Sequence, residues 1–254
     1  MQEIFLNRKT GHRSGLLDSL RGWTVINMVL FHALWDFYYL FDVKSDWLYG
    51  TTAFLWQQSI CCTFISLSGF CASMGRQTLR RGLAVLFLGA GVTAVTVIFM
   101  PNEAIRFGVL TMIGSGMVLT EWLKPFLLKI PPKTGLCLCL LLFIFTRGVN
   151  QGYVGFLFRE WMELPAWLYR DYVTTYLGFP FKGFYSSDYF SLMPWLFLFW
   201  CGFYAYGIWG QKVLAVKWQG IFVLNIIGRY ALVIYVLHQP VVYGLMALAG
   251  KIIG

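Results

Sequence analysis

The stretch RGWTVINMVLFHALWDFYYLF, residues 21–41, decides the fold class. A helix rises about 1.5 Å per residue, so about 20 mostly apolar residues cross a hydrocarbon core of about 30 Å. The stretch begins at Arg21, and two further ionisable side chains, His32 and Asp36, interrupt the apolar run that follows. Such groups cost roughly 2.5–3.5 kcal/mol at mid-membrane and usually have a function there. The stretch therefore predicts a membrane-spanning helix that carries reactive side chains.

The composition excludes most classes of soluble protein. Of the 254 residues, 58% are hydrophobic and only 12% are charged, whereas soluble domains carry about 25% charged residues. A surface with so few charges does not suit a soluble enzyme, a disordered chain or a nucleic-acid-binding domain, so no nucleic-acid partner is expected. The composition predicts a multi-pass integral protein of the cell membrane, in contact with lipid.

Apolar runs recur along the whole chain and predict an all-α, polytopic membrane helix bundle with about seven transmembrane helices. The fifth run is the shortest, and the seventh is long enough to divide near Gly228-Arg229. We expect a single integral-membrane domain over residues 1–254, with a tail at 1–15 and a long extracytoplasmic connector at 148–188. The predicted spans are roughly 20–41, 52–75, 82–100, 106–122, 134–147, 189–210 and 222–250.

The basic residues are divided unequally between the two sides of this predicted bundle. Thirteen of the twenty Lys and Arg residues lie on the side of the N-terminus, and seven lie on the other side. Because basic residues accumulate in cytoplasmic loops, the division predicts a cytoplasmic N-terminus.

Two histidines are predicted to lie at similar depths in the membrane. His32 follows Arg21 by eleven residues, which is roughly 16 Å along a helix, and His238 follows Arg229 by nine, which is roughly 13 Å. Asp36 lies one helical turn beyond His32 on the same face. The pattern favours a shared inner site in which His32 is a general base, Asp36 orients it and His238 assists.

Each of these three residues also has a purely structural interpretation. His32 would then be a neutral imidazole hydrogen-bonded within the bundle, and Asp36 would face a water-filled outer vestibule. His238 precedes Pro240, which frees a backbone carbonyl one turn earlier, so the histidine would satisfy that carbonyl.

Four arginines cluster at the predicted cytoplasmic ends of the spans: Arg21, Arg76, Arg80 and Arg81. They either follow the ordinary positive-inside bias or form a clamp for the phosphates of a cofactor, because guanidinium groups match phosphate oxygens. Asp18, three residues before Arg21, is expected to be a salt-bridge partner or a helix cap.

Neither a disulfide framework nor a metal site is predicted. The six cysteines lie inside apolar runs, without the spacing to His or Asp that metal ligands need. The connector at 148–188 is rich in aromatic residues, which form either an interfacial belt or a platform for a sugar ring.

Several motifs, taken in order, resemble membrane-bound acyltransferases of the type 3 superfamily. The resemblance is to the branch related to heparan-alpha-glucosaminide N-acetyltransferase and its small bacterial relatives. The motifs are Asp18-Ser-Leu-Arg21-Gly22 followed by His32, Ser66-Leu-Ser68-Gly69, the run Arg76–Arg81, Arg106-Phe-Gly108, Pro194-Trp195 and Gly228-Arg229 followed by His238-Gln239-Pro240.

The resemblance implies transfer of an acetyl group from cytoplasmic acetyl-CoA, as co-substrate, to an extracytoplasmic acceptor, a sugar or cell-surface glycan. It implies that His32 is the catalytic histidine, as general base or acyl carrier, and that Arg21 and the run Arg76–Arg81 hold CoA. Donors for the developing oxyanion are sought in His238, Gln239, Ser66 and Ser68. A homo-oligomer is compatible with this.

The alternative function is a proton-coupled transporter of a small anionic solute, since intramembrane His and Asp also serve proton relays. No internal inverted repeat and no matched pair of broken helices supports it.

Overall fold

A computed structural model describes residues 14–41, 46–75, 77–156 and 159–253. These are built mainly of α-helices, so the all-α prediction is confirmed. The helices are α1 (Gly15–Leu40), α2 (Thr51–Met74), α3 (Thr78–Phe99), α4 (Val109–Leu127), α5 (Pro132–Phe145), α6 (Tyr172–Leu177), α7 (Leu192–Ala215), α8 (Phe222–Arg229) and α9 (Ala231–Ile253).

Each of the seven predicted spans overlaps one of these helices, and the last is divided where its sequence suggested. The helix α8 ends at Arg229 and α9 begins at Ala231. Four helical segments within the described residues are long and apolar enough to cross a membrane: Thr78–Phe99, Pro132–Gln151, Leu192–Ala215 and Ala231–Gly250. The other three predicted spans, in α1, α2 and α4, are helical but less apolar than these four segments. That they cross the membrane stays a prediction.

The chain divides into two compact units, which are described separately. Of the described residues, one unit comprises 65–75, 77–156 and 159–211, and the other comprises 14–41, 46–64 and 212–253. The second unit therefore contains α1, the first half of α2, α8 and α9.

The helices α1 and α8 of the second unit pack backbone against backbone. A Cβ atom added to Gly22 would lie 2.0 Å from the carbonyl oxygen of Leu224, and one added to Gly228 would lie 2.0 Å from that of Asp18. Small residues allow such close approach, which is common between membrane helices. The Ser19 hydroxyl donates to the side-chain oxygen of Asn225 at 2.9 Å across the same contact.

In the same unit, an apolar core joins α1, α2, α8 and α9. Its buried members are Val25, Met28, Phe31, Ala53, Ile60 and Ala231, and partly buried side chains such as Trp56, Ile227 and Tyr235 pack against it. This packing fixes the rotation of α1, and so decides which side chains α1 turns toward α9.

The connector of the first unit is structured rather than a simple loop. It contains a two-stranded antiparallel hairpin, β1 (Tyr153–Phe156) and β2 (Arg159–Glu163), and the short helix α6. Asp171 caps α6, where the backbone N–H of Thr174 donates to its carboxylate and lowers the pKa of that group. The cap is therefore formed at neutral pH and is lost as the pH falls through the folded-state pKa of Asp171.

Residues at the end of the connector form hydrogen bonds with the backbone at the N-terminus of α4. The Asp188 carboxylate accepts a hydrogen bond from the backbone N–H of Val109 at 3.4 Å. The Ser186 hydroxyl accepts from the backbone N–H of Arg106 at 2.8 Å and donates to its carbonyl at 2.9 Å. These contacts hold the connector against the start of α4.

We predict that Gly22→Ala destabilises the protein by about 1–3 kcal/mol or more, because the new methyl group forces α1 and α8 apart. Thermal unfolding of the detergent-solubilised protein measures this. Gly244→Ala is the matched control in α9, since an added Cβ there meets nothing within 4 Å. It should leave the midpoint unchanged or raise it slightly. Equal midpoints for the two variants would contradict the close contact.

Candidate active site

Two histidines from different helices meet in the second unit. The His238 Nε2 atom lies 3.2 Å from His32 Nδ1, and the ring centroids are 4.8 Å apart at an interplanar angle of 53°. Both side chains are partly exposed. The structure thus brings together the two imidazoles that the sequence placed at similar depth.

Backbone carbonyls determine which nitrogen of each ring carries its proton. His32 Nδ1 lies 3.0 Å from the carbonyl oxygen of Met28, and His238 Nδ1 lies 2.7 Å from that of Tyr235. A carbonyl oxygen only accepts hydrogen bonds, so both Nδ1 atoms carry hydrogen when the rings are neutral. His238 Nε2 is then an acceptor for the His32 Nδ1–H, and the lone pair of His32 is on Nε2.

Asp36 and Gln239 form a second polar contact beside the histidines. The Gln239 side-chain nitrogen donates to the two carboxylate oxygens of Asp36 at 3.1 and 3.3 Å. Asp36 is only 5% exposed. Because Asp36 follows His32 by one turn, and Gln239 follows His238 directly, we call the two contacts the polar ladder: His32–His238 and Asp36–Gln239.

The ladder changes two expectations about individual residues. The carboxylate of Asp36 bonds to Gln239 and not to His32, so any orienting effect on His32 is indirect. Pro240 removes the usual donor to the carbonyl of Val236, whereas the Nδ1 atom of His238 bonds to the preceding carbonyl, that of Tyr235.

Arg21 belongs to an ionic cluster at the start of α1. Its guanidinium donates to the Asp18 carboxylate at 3.0 Å and to the Gly228 carbonyl at 3.4 Å. The Arg229 guanidinium lies 4.0 Å from the other oxygen of Asp18. The predicted salt bridge between Asp18 and Arg21 is confirmed, and two arginines share one largely buried carboxylate.

Two of the remaining predicted arginines, Arg80 and Arg81, belong to the first unit and are exposed in the first turn of α3. Arg76 lies outside the described residues. Cations are disfavoured at a helix N-terminus, so the two side chains are not explained by helix stability. Ser66 and Ser68 also belong to the first unit, and their suggested role stays a prediction.

Aromatic side chains of the connector pack on one another and on Phe107, which precedes α4. Phe107 lies 5.3 Å from Tyr176 and stacks on Phe184 at 6.2 Å, measured between ring centroids. Trp161 and Trp167 are largely exposed.

The described residues contain no group of three or more His, Cys, Asp or Glu side chains that could hold a metal ion.

Residues 13–240 match the family described as heparan-alpha-glucosaminide N-acetyltransferase, catalytic. The chain belongs to this family. Membership makes it a transferase of the N-acetyltransferase type and, with the four apolar helices, indicates a membrane protein. No curated protein and no solved structure matches the chain.

Sequence reasoning missed the backbone part of the site. It identified both histidines and named Gln239 only as an oxyanion donor, but it did not find the carbonyls of Met28 and Tyr235. The sequence could have indicated these hydrogen bonds, because a histidine side chain in a helix can reach the backbone carbonyl three or four residues earlier. The pairing of Arg229 with Asp18 was also missed, since it depends on the packing of α8.

We predict that nitrogen NMR of the histidine-labelled protein shows His32 and His238 as neutral rings protonated at Nδ1 at high pH, because both bond to carbonyls. The chain has three histidines, so the variants His12→Asn, His32→Asn and His238→Asn assign the signals. Protonation at Nε2 in either ring would contradict the hydrogen-bond chain.

Proposed function

We propose that this chain is a membrane-bound acetyltransferase that moves an acetyl group from cytoplasmic acetyl-CoA to an extracytoplasmic acceptor, a sugar or cell-surface glycan. His32 is the general base and His238 assists it. The observation that carries this proposal is the hydrogen-bonded histidine pair, within a chain of the N-acetyltransferase family. The proposed topology has a cytoplasmic N-terminus and seven spans.

The tautomers of the two rings suit proton transfer. With Nδ1–H donated toward Met28 and His238, His32 presents the lone pair of Nε2 to an acceptor amine or hydroxyl. As Nε2 takes the proton, positive charge develops on His32 and is shared with His238 through the bond between the rings. A positioned general base typically accelerates a reaction by 10²–10⁴-fold.

The proton has a clear destination. Acetyl-CoA supplies the acyl thioester, whose sulfur leaves as a thiolate. His32 holds the acceptor's proton at Nε2 and returns it to that sulfur, so the ring ends in its starting state. A direct transfer and an acyl-histidine route both use this nitrogen, and both stay open.

The arginines of the cytoplasmic side fit the phosphates of CoA. Arg80 and Arg81 are exposed in the first turn of α3, where backbone N–H groups also favour anions. Arg21 is held at the start of α1 by its ion pair with Asp18. We therefore propose Arg21, Arg76, Arg80 and Arg81 as the residues that hold the CoA end.

We predict that His32→Asn lowers acetyl transfer by about 10²–10⁴-fold. The asparagine amide nitrogen takes the place of Nδ1 and keeps a donor toward Met28, but the base is lost. Transfer of labelled acetyl from acetyl-CoA to glycan in membranes measures the rate. His12→Asn, in the predicted tail, is the control and should keep full activity.

The companion variant His238→Asn should lower the rate less, by about 10–100-fold, as expected for a residue that supports the base. Undiminished transfer by His32→Asn would end the catalytic assignment. Solute uptake driven by a pH gradient, without covalent transfer, would favour the transporter instead.

We predict that Arg80→Gln combined with Arg81→Gln raises KM for acetyl-CoA by roughly tenfold or more, because charge-assisted hydrogen bonds to phosphate are lost. S-acetylpantetheine, which lacks the nucleotide and its phosphates, should react equally with variant and parent. Arg170→Gln removes another exposed arginine, in the connector, and serves as control. An unchanged KM for acetyl-CoA would contradict the clamp.

A further inference from the structure

The second contact of the polar ladder contains an atom that no described residue satisfies. The side-chain oxygen of Gln239, Oε1, is buried and has no hydrogen-bond partner within residues 14–41, 46–75, 77–156 and 159–253. Rotating the amide would not help, because the carboxylate of Asp36 needs the donor nitrogen that now faces it. Buried acceptors without partners are uncommon in native proteins, and each one calls for an explanation.

The carboxylate beside this oxygen is also incompletely compensated. Asp36 is 5% exposed, and its hydrogen bonds come from a neutral amide. Among the described residues, no cation forms an ion pair with it. A buried carboxylate is normally paired with positive charge. Within the described part of the chain, Gln239 Oε1 has no hydrogen-bond donor and Asp36 has no positively charged partner.

The position of this contact suits a substrate. Asp36 lies four residues beyond His32 on α1, which is about 6 Å along the helix axis. Gln239 follows His238 directly on α9. A group bound to Gln239 Oε1 would therefore lie within about one helical turn of the histidine pair, whose rings are both partly exposed.

We propose that Gln239 Oε1 and Asp36 form the subsite that recognises the acceptor, by accepting hydrogen bonds from its N–H or O–H group. Gln239 is then the specificity-determining residue: it admits acceptors that present a donor beside the reacting atom. The inference rests on the proposed function, because it names what the same site binds.

This arrangement discriminates between acceptors that carry a hydrogen-bond donor and those that lack one, because the latter leave buried polar groups of the protein unpaired. An acceptor analogue without the donor would bury Gln239 Oε1 and Asp36 with nothing to satisfy them, which is a stronger penalty than a poor fit of shape. An ammonium group supplies three donors and a positive charge, and a hydroxyl supplies one donor.

The test compares three sugar probes that differ at one position. They are a 4-nitrophenyl glucosaminide, the matching glucoside and the matching 2-deoxyglucoside. At carbon 2 of the sugar they present an ammonium group, a hydroxyl group and no hydrogen-bond donor, respectively. Binding to the purified, detergent-solubilised protein is measured by calorimetry with CoA present, so no turnover is needed. The Kd of CoA is recorded for every variant.

The key variant is Gln239→Met, which keeps the length of the side chain and removes both its oxygen and the nitrogen that donates to Asp36. It should weaken the binding of the donor-bearing probe by about tenfold or more and leave the Kd of CoA unchanged. The 2-deoxyglucoside should bind weakly to the parent and equally weakly to the variant. The double variant Asp36→Leu/Gln239→Met removes both polar partners together and serves if the single variant does not fold.

Each outcome bears on the subsite. If the glucosaminide binds better than the glucoside, and only while Gln239 is present, the recognised donor is the ammonium group. If the two bind equally and both depend on Gln239, the donor is a hydroxyl group. Unchanged binding to Gln239→Met, or no binding of any probe to the parent, would overturn the proposal. Probe binding without acetyl transfer by the parent would remove the proposed function and leave the subsite.

Discussion

The hydrogen bonds from Nδ1 of His32 and His238 to the carbonyls of Met28 and Tyr235 are the interactions on which the site depends. They fix the tautomer of each ring and so decide which nitrogen of His32 serves as base in the proposed reaction. A carbonyl that loses its donor is left unpaired, and such a loss is costly in a buried site. The chemistry of the side chains is therefore set by the backbone of the two helices that carry them.

The packing of the second unit makes this geometry possible. Gly22 and Gly228 let α1 and α8 approach to backbone contact, and α8 ends at Arg229 before α9 begins at Ala231. Asp18 joins Arg21 and Arg229 at the start of α1. Close packing and ion pairing thus hold the register in which His32 meets His238, and Asp36 meets Gln239.

Much of the fold could be predicted from the sequence, because apolar runs of about 20 residues have few alternatives to a helix. The meeting of His32 with His238 was predictable from their depths. The partner of Asp36 was not, because helical spacing places it on the face of His32 without specifying what the facing helix presents. The hairpin of the connector was also missed, since its strands are short and flanked by aromatic residues found equally in interfacial belts.

The central claim is that the lone pair of His32 Nε2 is open to reactants in a folded membrane protein. Modification of histidine by diethyl pyrocarbonate in native membranes, read by peptide mass spectrometry, tests it most directly. We predict that His32 is modified while the protein stays folded, and that saturating acetyl-CoA protects it. A His32 that stays unmodified until the protein unfolds, or that acetyl-CoA does not protect, would contradict the account.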